Sequence, residues 1–440
     1  MINHKKSYYS ALLVRYLGVP IAVAVNVFMA RCLGPEKYGR YLEMTSLAFV
    51  AGALATFGAD SVLVREISAR GKCASQTIYA RISWAKRHVA FFALFAYALT
   101  IIWLVIFKRE DGLTFGNLAE IAIIIGAVSV LNVQCAVLAG MSKVTQSQAI
   151  QNVIKNIALG TGFLLLWLLG FTTVFYTIAT QILSLLVASV VASIWIKQEF
   201  ASQNIDIKKS LNYADVQTKT ASKILFKSAS RFFGMTAAVL ILVRMDIIIV
   251  AAASSAHAAG IFGAAARLAQ FAAIQGLILF AWIQPRISRL FARREYTNIQ
   301  NLVSRSIIGS VAITGLSVLF AFVFARQIVL LLGSSFIESE NVFRILLLGY
   351  LMWSVAVPYA ALLSMTHGEA TASKIYWLQV LVTLPLCFVL ASEYGAQGAA
   401  VAWTLGLTIA SGLMILAGVR KQRDWRILQS GTPSRNFESA

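Results

Sequence analysis

The 440-residue sequence predicts an all-α integral membrane protein: about twelve transmembrane helices in two six-helix lobes, related by a pseudo-twofold axis along the membrane normal, with both termini cytoplasmic. Three observations carry this expectation. Hydrophobic residues make up 59% and charged residues only 13% of the chain, against about 45 to 50% apolar residues in a soluble domain. The apolar residues fall in long continuous runs rather than in the every-second-residue alternation of an outer-membrane barrel. The basic residues are distributed very unequally between alternate loops.

A span needs about 20 mostly apolar residues, so twelve take about 240 of the 440 and leave no sizeable soluble domain. Reading apolar windows against charge and Gly/Pro breaks places the first six spans at 11–31, 41–64, 86–107, 117–141, 148–169 and 173–196. The second six fall at 229–253, 257–283, 303–325, 343–366, 374–391 and 396–418. The basic head before residue 11 has no small-residue cleavage pattern after it, so the first apolar run reads as a retained span and not as a signal peptide. The domains expected are an N-terminal lobe 1–196, a polar cytoplasmic linker 197–223, a C-terminal lobe 224–419 and a basic tail 420–440.

The net charge of +20 raises the question of nucleic acid, which the position of the charges answers. With the N-terminus inside, the cytoplasmic segments hold 26 of the 38 Lys and Arg and the outer loops hold 6. That asymmetry is a topology signal facing anionic lipid, and no nucleic-acid partner is expected. Shifting the first half by about 221 residues lays span one on span seven and so on to six on twelve, with Gly39, Leu47, Ala48 and Arg65 falling on Gly260, Leu268, Ala269 and Arg286. Two halves of six spans share one orientation, a plan in which the substrate site lies between lobes.

Cys32, Cys73, Cys135 and Cys387 are far apart, and with His4, His88, His257 and His367 they form no metal-ligand spacing. No phosphate-binding loop, H-E-x-x-H or nucleophile elbow occurs, so neither cofactor nor catalytic residue is expected. The chemistry lies in charges at membrane depth, which are costly there and generally face a cavity. They are Arg15, Asp60, Lys155, Arg231, Arg244, Asp246, Arg267 and Arg344. Arg231 and Arg344 lie near span ends, where a long side chain reaches the interface. Asp60 either caps its helix, pairs with Arg65 or takes part in coupling; Asp246 is a structural partner for another arginine or a coupling group. Arg15, Arg244 and Arg267 are the expected anion-binding residues, because guanidinium stays charged and grips phosphate bidentately. Gln148, Asn152, Lys155 and Asn156 recur at helical spacing on one face, and Lys155, Asn152 and Asn156 are read either as substrate contacts or as interhelical polar packing. Pro20 leaves the carbonyl of Tyr16 without its helical partner and marks span one as a hinge.

Two passages resemble a known family. FMARCLGPEKYGRYLEMTSLAFVAGALATFGADSVLVREIS (28–68) is similar to the first two spans of bacterial polysaccharide flippases of the O-antigen type. LVRMDIIIVAAASSAHAAGIFGAAARLAQ (242–270) is similar to the corresponding stretch of their second lobe, apart from SSAHAAG where the family more often has a Leu-Gly-Pro-like turn. The resemblance implies the multidrug/oligosaccharidyl-lipid/polysaccharide exporter superfamily, with two lobes alternating between inward-open and outward-open states. It implies an undecaprenyl-diphosphate-linked oligosaccharide as substrate, flipped to the periplasmic leaflet of the bacterial inner membrane for O-antigen, capsule or exopolysaccharide assembly. Polymerase and chain-length regulator are the implied protein partners, and H⁺, Na⁺ or the membrane potential the implied driving force. Relatives that flip the peptidoglycan precursor have fourteen spans, for which this chain has no room. A cation-coupled multidrug exporter shares the fold; a glycan polymerase would be expected to have a longer outer loop than the one near 326–342.

Overall fold

The computed structural model describes residues 2–70, 75–107, 115–202, 225–226, 229–230, 233, 237–238 and 240–429. Residues 203–223 of the expected linker, Arg231 and residues 430–440 of the expected tail lie outside these, as does the side chain of Arg15. Every regular element among the described residues is helical, and eight helices are long and apolar enough to cross a membrane.

Residues 1–260 form one compact unit. It contains α1 (Ile2–Thr56), α2 (Ala59–Arg70), α3 (Ser75–Phe107), α4 (Phe115–Gly140) and α5 (Val144–Ala149). A π turn at Ile150–Ile154 leads into α6 (Lys155–Leu168), followed by α7 (Val174–Ser202), and residues 240–253 form α8. The nine-residue loop expected between the first two spans is absent. The helix instead continues to Leu33, turns at Gly34 (φ 74, ψ 170) and restarts at Pro35. Pro suits the first turn of a helix, where its missing N–H is no loss. Gly34 lies in a region essentially closed to residues with a Cβ, while an added Cβ would meet nothing within 4 Å. Gly34→Ala should therefore lower the thermal stability of the detergent-solubilised protein by about 1–3 kcal/mol through backbone strain alone; an unchanged unfolding temperature would contradict this.

The expected second span ran to residue 64, but the helix ends at Thr56 because Phe57 (φ 42) and Gly58 (φ 76) are left-handed. The turn is held by rings: Phe57 stacks on Phe92 and on Phe233, each at 4.4 Å. A core of Ala59, Val62, Leu63, Trp84 and Val133 ties α2, α3 and α4 together. On α3, Phe91, Leu94, Phe95, Ile102 and Ile106 form an exposed apolar stripe suited to lipid.

Two further approaches fix this unit. Gly18 lies against the π turn, where a Cβ would fall 2.5 Å from that of Asn152. Gly39 and Gly260 pack reciprocally: a Cβ on Gly39 would lie 1.7 Å from the Ala256 carbonyl oxygen, and one on Gly260 would lie 1.9 Å from that of Pro35. Residues 35 and 256, like 39 and 260, are the pairs that the 221-residue shift superposes. Small residues thus face each other here, the arrangement that lets helix backbones approach closely.

The second unit, residues 261–440, holds most of α9 (Ala256–Ala292), then α10 (Tyr296–Val323), the short α11 (Ala325–Leu330), α12 (Ser339–Met365) and α13 (Glu369–Gln429). Two expected spans are again one helix broken at a glycine, Gly395 (φ 57, ψ −135). The outer segment read as a 17-residue loop contains α11 and a 3-10 turn, Ser334–Phe336, with Phe336 fully buried. Helix α13 continues beyond the expected end at 418, because Trp425 packs against Tyr296 at 5.0 Å and Gln300 donates to the Gln422 carbonyl at 3.1 Å.

Candidate functional site

The first unit brings together two cations that sequence places 89 residues apart. Lys155, the residue directly after the π turn, sets its Nζ 5.5 Å from the centroid of the Phe49 ring, and Arg244 of α8 sets its Cζ 5.4 Å from the same centroid. A π turn inserts an extra residue into the helical repeat and so re-aims the side chains beyond it. Both distances lie within the range in which a ring face attracts a cation, and they hold the two charges no more than about 11 Å apart. At an effective dielectric of about 20, two like charges at that separation repel by about 1.5 kcal/mol. An anion held by both would offset it.

The element that carries Phe49 is firmly placed. Tyr38 donates to Asn26 Oδ1 at 3.0 Å across the Gly34 turn. Buried Tyr41 donates to Gln181 Oε1 of α7 at 2.8 Å, and Gln181 Nε2 in turn donates to Ser184 Oγ at 3.2 Å. Gly52 packs on Val128 of α4 and its carbonyl accepts from Ser129 at 2.9 Å. The second half of α1 is therefore pinned on two sides while its Phe49 face meets the cations.

The other expected residues are distributed as follows. Asn152 donates to the Gln148 carbonyl (3.0 Å) and side chain (3.1 Å), and Asn156 to the Asn152 carbonyl (2.8 Å), so both amides bond within their own helical segment. Asp246 is buried and accepts from the Ile247 N–H at 2.8 Å. Asp60 occupies the first turn of α2, accepting from the backbone of Ser61, where a helix start favours negative charge. Arg65 lies 3.5 Å from Glu66. Arg344 pairs with Glu340 at 2.8 Å, one turn earlier on α12. Arg267 lies in the second unit, with a buried Nε that has no hydrogen-bond partner among the described residues. The backbone remains helical through Pro20; the break is at Gly34.

Three residues escaped the sequence reading. Phe49 looks like any apolar residue of a span, and only the fold shows which cations share its ring. Glu43 (5% exposed) falls at the edge of a span expected to start near residue 41; with the helix restarting at Pro35 it lies more than two turns inside. Glu120 of α4 is 8% exposed, with an Oε2 that has no hydrogen-bond partner among the described residues. Because a buried carboxylate oxygen without a hydrogen-bond partner opposes folding, Glu120→Gln should leave the unfolding temperature unchanged or raise it; a marked fall would show that the carboxylate supports the fold.

Residues 5–291, about two thirds of the chain, match the family described as polysaccharide biosynthesis protein. The chain belongs to this family. No curated protein matches the chain, but solved structures do. A multidrug resistance MATE family transporter of the MOP superfamily, in an inward-facing conformation, aligns with a TM-score of 0.71 at 14% identity, over 97% of this chain and 100% of the other. The lipid II flippase MurJ, in an inward closed conformation, gives 0.69 at 12% identity, over 96% and 94%. A MOP superfamily transporter from Pyrococcus furiosus, described by a binding pocket of reverse polarity suggesting a different function, gives 0.57 at 15%, over 96% and 97%. Together with the eight long apolar helices, these likenesses indicate a multi-pass membrane protein whose fold is like that of these transporters.

Proposed function

We propose that this protein flips an undecaprenyl-diphosphate-linked oligosaccharide from the cytoplasmic to the periplasmic leaflet of a bacterial inner membrane, as a non-enzymatic carrier. The single observation that carries the reading is the convergence of Lys155 and Arg244 on Phe49 at membrane depth. Two fixed cations suit a diphosphate, whose oxygens accept charge-assisted hydrogen bonds from both. Arg15, Arg267, Asn152 and Asn156 are proposed as further substrate-binding residues, and the polyprenyl tail stays in lipid. Twelve spans in two six-helix lobes, at 1–196 and 224–419 with cytoplasmic ends, would provide alternating access around it.

The family to which the chain belongs supports a role in polysaccharide biosynthesis, and the fold shared with a lipid II flippase supports a lipid-linked substrate. Polymerase and chain-length regulator would act on the exported units. Moving an anion outward across an inside-negative membrane is downhill by about 2.3 kcal/mol per charge per 100 mV, so the potential alone can set direction. Asp60 and Asp246 are the coupling carboxylates if H⁺ or Na⁺ takes part.

A second reading, a cation-coupled multidrug exporter, is favoured by the buried carboxylates Glu43, Glu120 and Asp246. Vesicles separate the two. With the purified protein in the bilayer, a fluorophore-tagged polyprenyl-diphosphate disaccharide loaded in one leaflet should become accessible to a membrane-impermeant quencher in the other. Translocation of organic cations with none of the tagged lipid would establish the exporter instead.

A further inference from the structure

Helix α9 ends in a basic stripe that the proposed carrier function does not use. Trp282, Arg286, Arg289 and Arg293 recur at i, i+4, i+7 and i+11, within about 60° of one another around the helix. Ile283 and Ile287 lie on a different face, fully buried in a core with Ile299 and Val303 of α10, Leu362 of α12 and Trp425 of α13, so the stripe points away from that core. No Asp or Glu occurs in α9 to neutralise it. Trp282 is 43% exposed, and Arg286 is fixed against it: its Cζ lies 3.4 Å from the ring centroid, and its Nη1 donates to the Trp282 carbonyl at 3.0 Å. A guanidinium stacked by its face keeps its other N–H groups for a planar acceptor, and a side chain already held in place loses little freedom on binding.

Depth selects among the arginines. The eighth expected span ends at residue 283, which puts Trp282 at the cytoplasmic edge of the hydrocarbon, the level that amphipathic rings favour. At about 1.5 Å per residue, Arg286 follows about 6 Å, Arg289 about 10 Å and Arg293 about 16 Å further on, whereas the headgroup layer is about 5–8 Å thick. Helical side chains lean toward the N-terminus of their helix, here back toward the bilayer, so Arg286 lies within that layer and Arg289 reaches it. Arg293 lies beyond, its side chain 74% exposed and 4.0 Å from Glu295. We propose that Trp282, Arg286 and Arg289 form a binding site for the headgroup of an anionic phospholipid of the cytoplasmic leaflet. The indole sits at the glycerol level, Arg286 grips the phosphate and Arg289 adds charge. The general excess of cytoplasmic Lys and Arg sets orientation; this stripe holds one lipid at one place, and does so whatever the carrier moves.

The test is native mass spectrometry of the full-length protein in detergent, titrated with phosphatidylglycerol as the anionic probe and phosphatidylcholine as the zwitterionic one. The wild type should retain phosphatidylglycerol in preference to phosphatidylcholine. Arg286→Ala should weaken the tightest phosphatidylglycerol binding about fivefold, and Arg293→Ala should leave it unchanged. Arg286→Lys keeps the charge but loses the planar fork, and should fall between wild type and Arg286→Ala. Trp282→Leu removes the stack without touching a charge and should also weaken binding, which distinguishes a built site from charge alone and serves where Arg286→Ala does not fold. Wild-type affinity in both Arg286→Ala and Trp282→Leu, or no preference for the anionic lipid in the wild type, would overturn the site. An equal loss in Arg293→Ala would overturn it in favour of diffuse charge. Displacement of the phosphatidylglycerol by equimolar farnesyl diphosphate would overturn it in favour of a lipid-linked diphosphate.

Discussion

Arg244→Ala is expected to reduce translocation of the lipid-linked glycan at least tenfold while the protein still inserts and purifies normally. Arg244 is one of only two cations that converge on Phe49 among the described residues. A hydrogen bond to a charged group contributes about 1.5–3 kcal/mol, which corresponds to about ten- to a hundredfold in rate if the contact is made during transfer. Its side chain is partly exposed on α8, and the buried packing of that helix against α1 is carried by Ile248 with Leu47 and Val50. The fold should therefore tolerate the truncation. Arg244→Lys keeps the charge but loses the planar fork, and should retain an intermediate rate. The check is the rate of quencher accessibility in reconstituted vesicles, normalised to protein, together with complementation of a deletion strain. A wild-type rate in Arg244→Ala would remove this residue from the mechanism.

Gly39→Val should abolish accumulation of folded protein. A Cβ there would lie 1.7 Å from the Ala256 carbonyl oxygen and 2.7 Å from the Gly260 nitrogen, both backbone atoms that cannot swing away as a side chain end can. The helices would have to separate, and overpacking of this kind costs about 3 kcal/mol or more against a total stability of only about 5–15 kcal/mol. Gly260→Val meets the Pro35 carbonyl in the same way and should fail equally. Gly126→Ala is the control: nothing lies within 4 Å of an added Cβ, and alanine is the better helix former, so its unfolding temperature should hold or rise. Fluorescence-detected size exclusion of the three variants decides the matter. A monodisperse, wild-type-like Gly39→Val would mean that this crossing is not tight in the folded protein.

Much of the fold was legible because hydropathy and charge report directly on the bilayer. The long apolar windows became long helices, and a shift of 221 residues lays Gly39 on Gly260, the two glycines that pack against each other. The breaks were harder to place. Gly34-Pro35 read as part of a loop because Arg31, Lys37 and Arg40 surround it, yet a single glycine of positive φ suffices to turn the chain and helix resumes at once. Conversely, Phe57 gave no warning of a helix end: a bulky residue in a left-handed conformation is imposed by tertiary stacking on Phe92 and Phe233, not by local propensity.

The site was legible as a set of candidates but not as a constellation. The cost of burying charge marked Lys155 and Arg244 individually, whereas their shared ring depends on the packing of α6, α8 and α1. Helical periodicity read Asn152, Lys155 and Asn156 as one face, and the π turn at Ile150–Ile154 interrupts that periodicity just before Lys155. Glu43 was missed through an error of about six residues in one span boundary, enough to move a carboxylate from the interface to the interior.

The most direct test of the central claim is the leaflet in which undecaprenyl-linked glycan accumulates when the gene is deleted in its own host. Single repeat units should be held on the cytoplasmic face, with export restored by the intact gene and not by Arg244→Ala. Units already on the periplasmic face, unpolymerised, would contradict it and assign the defect to a later step of assembly.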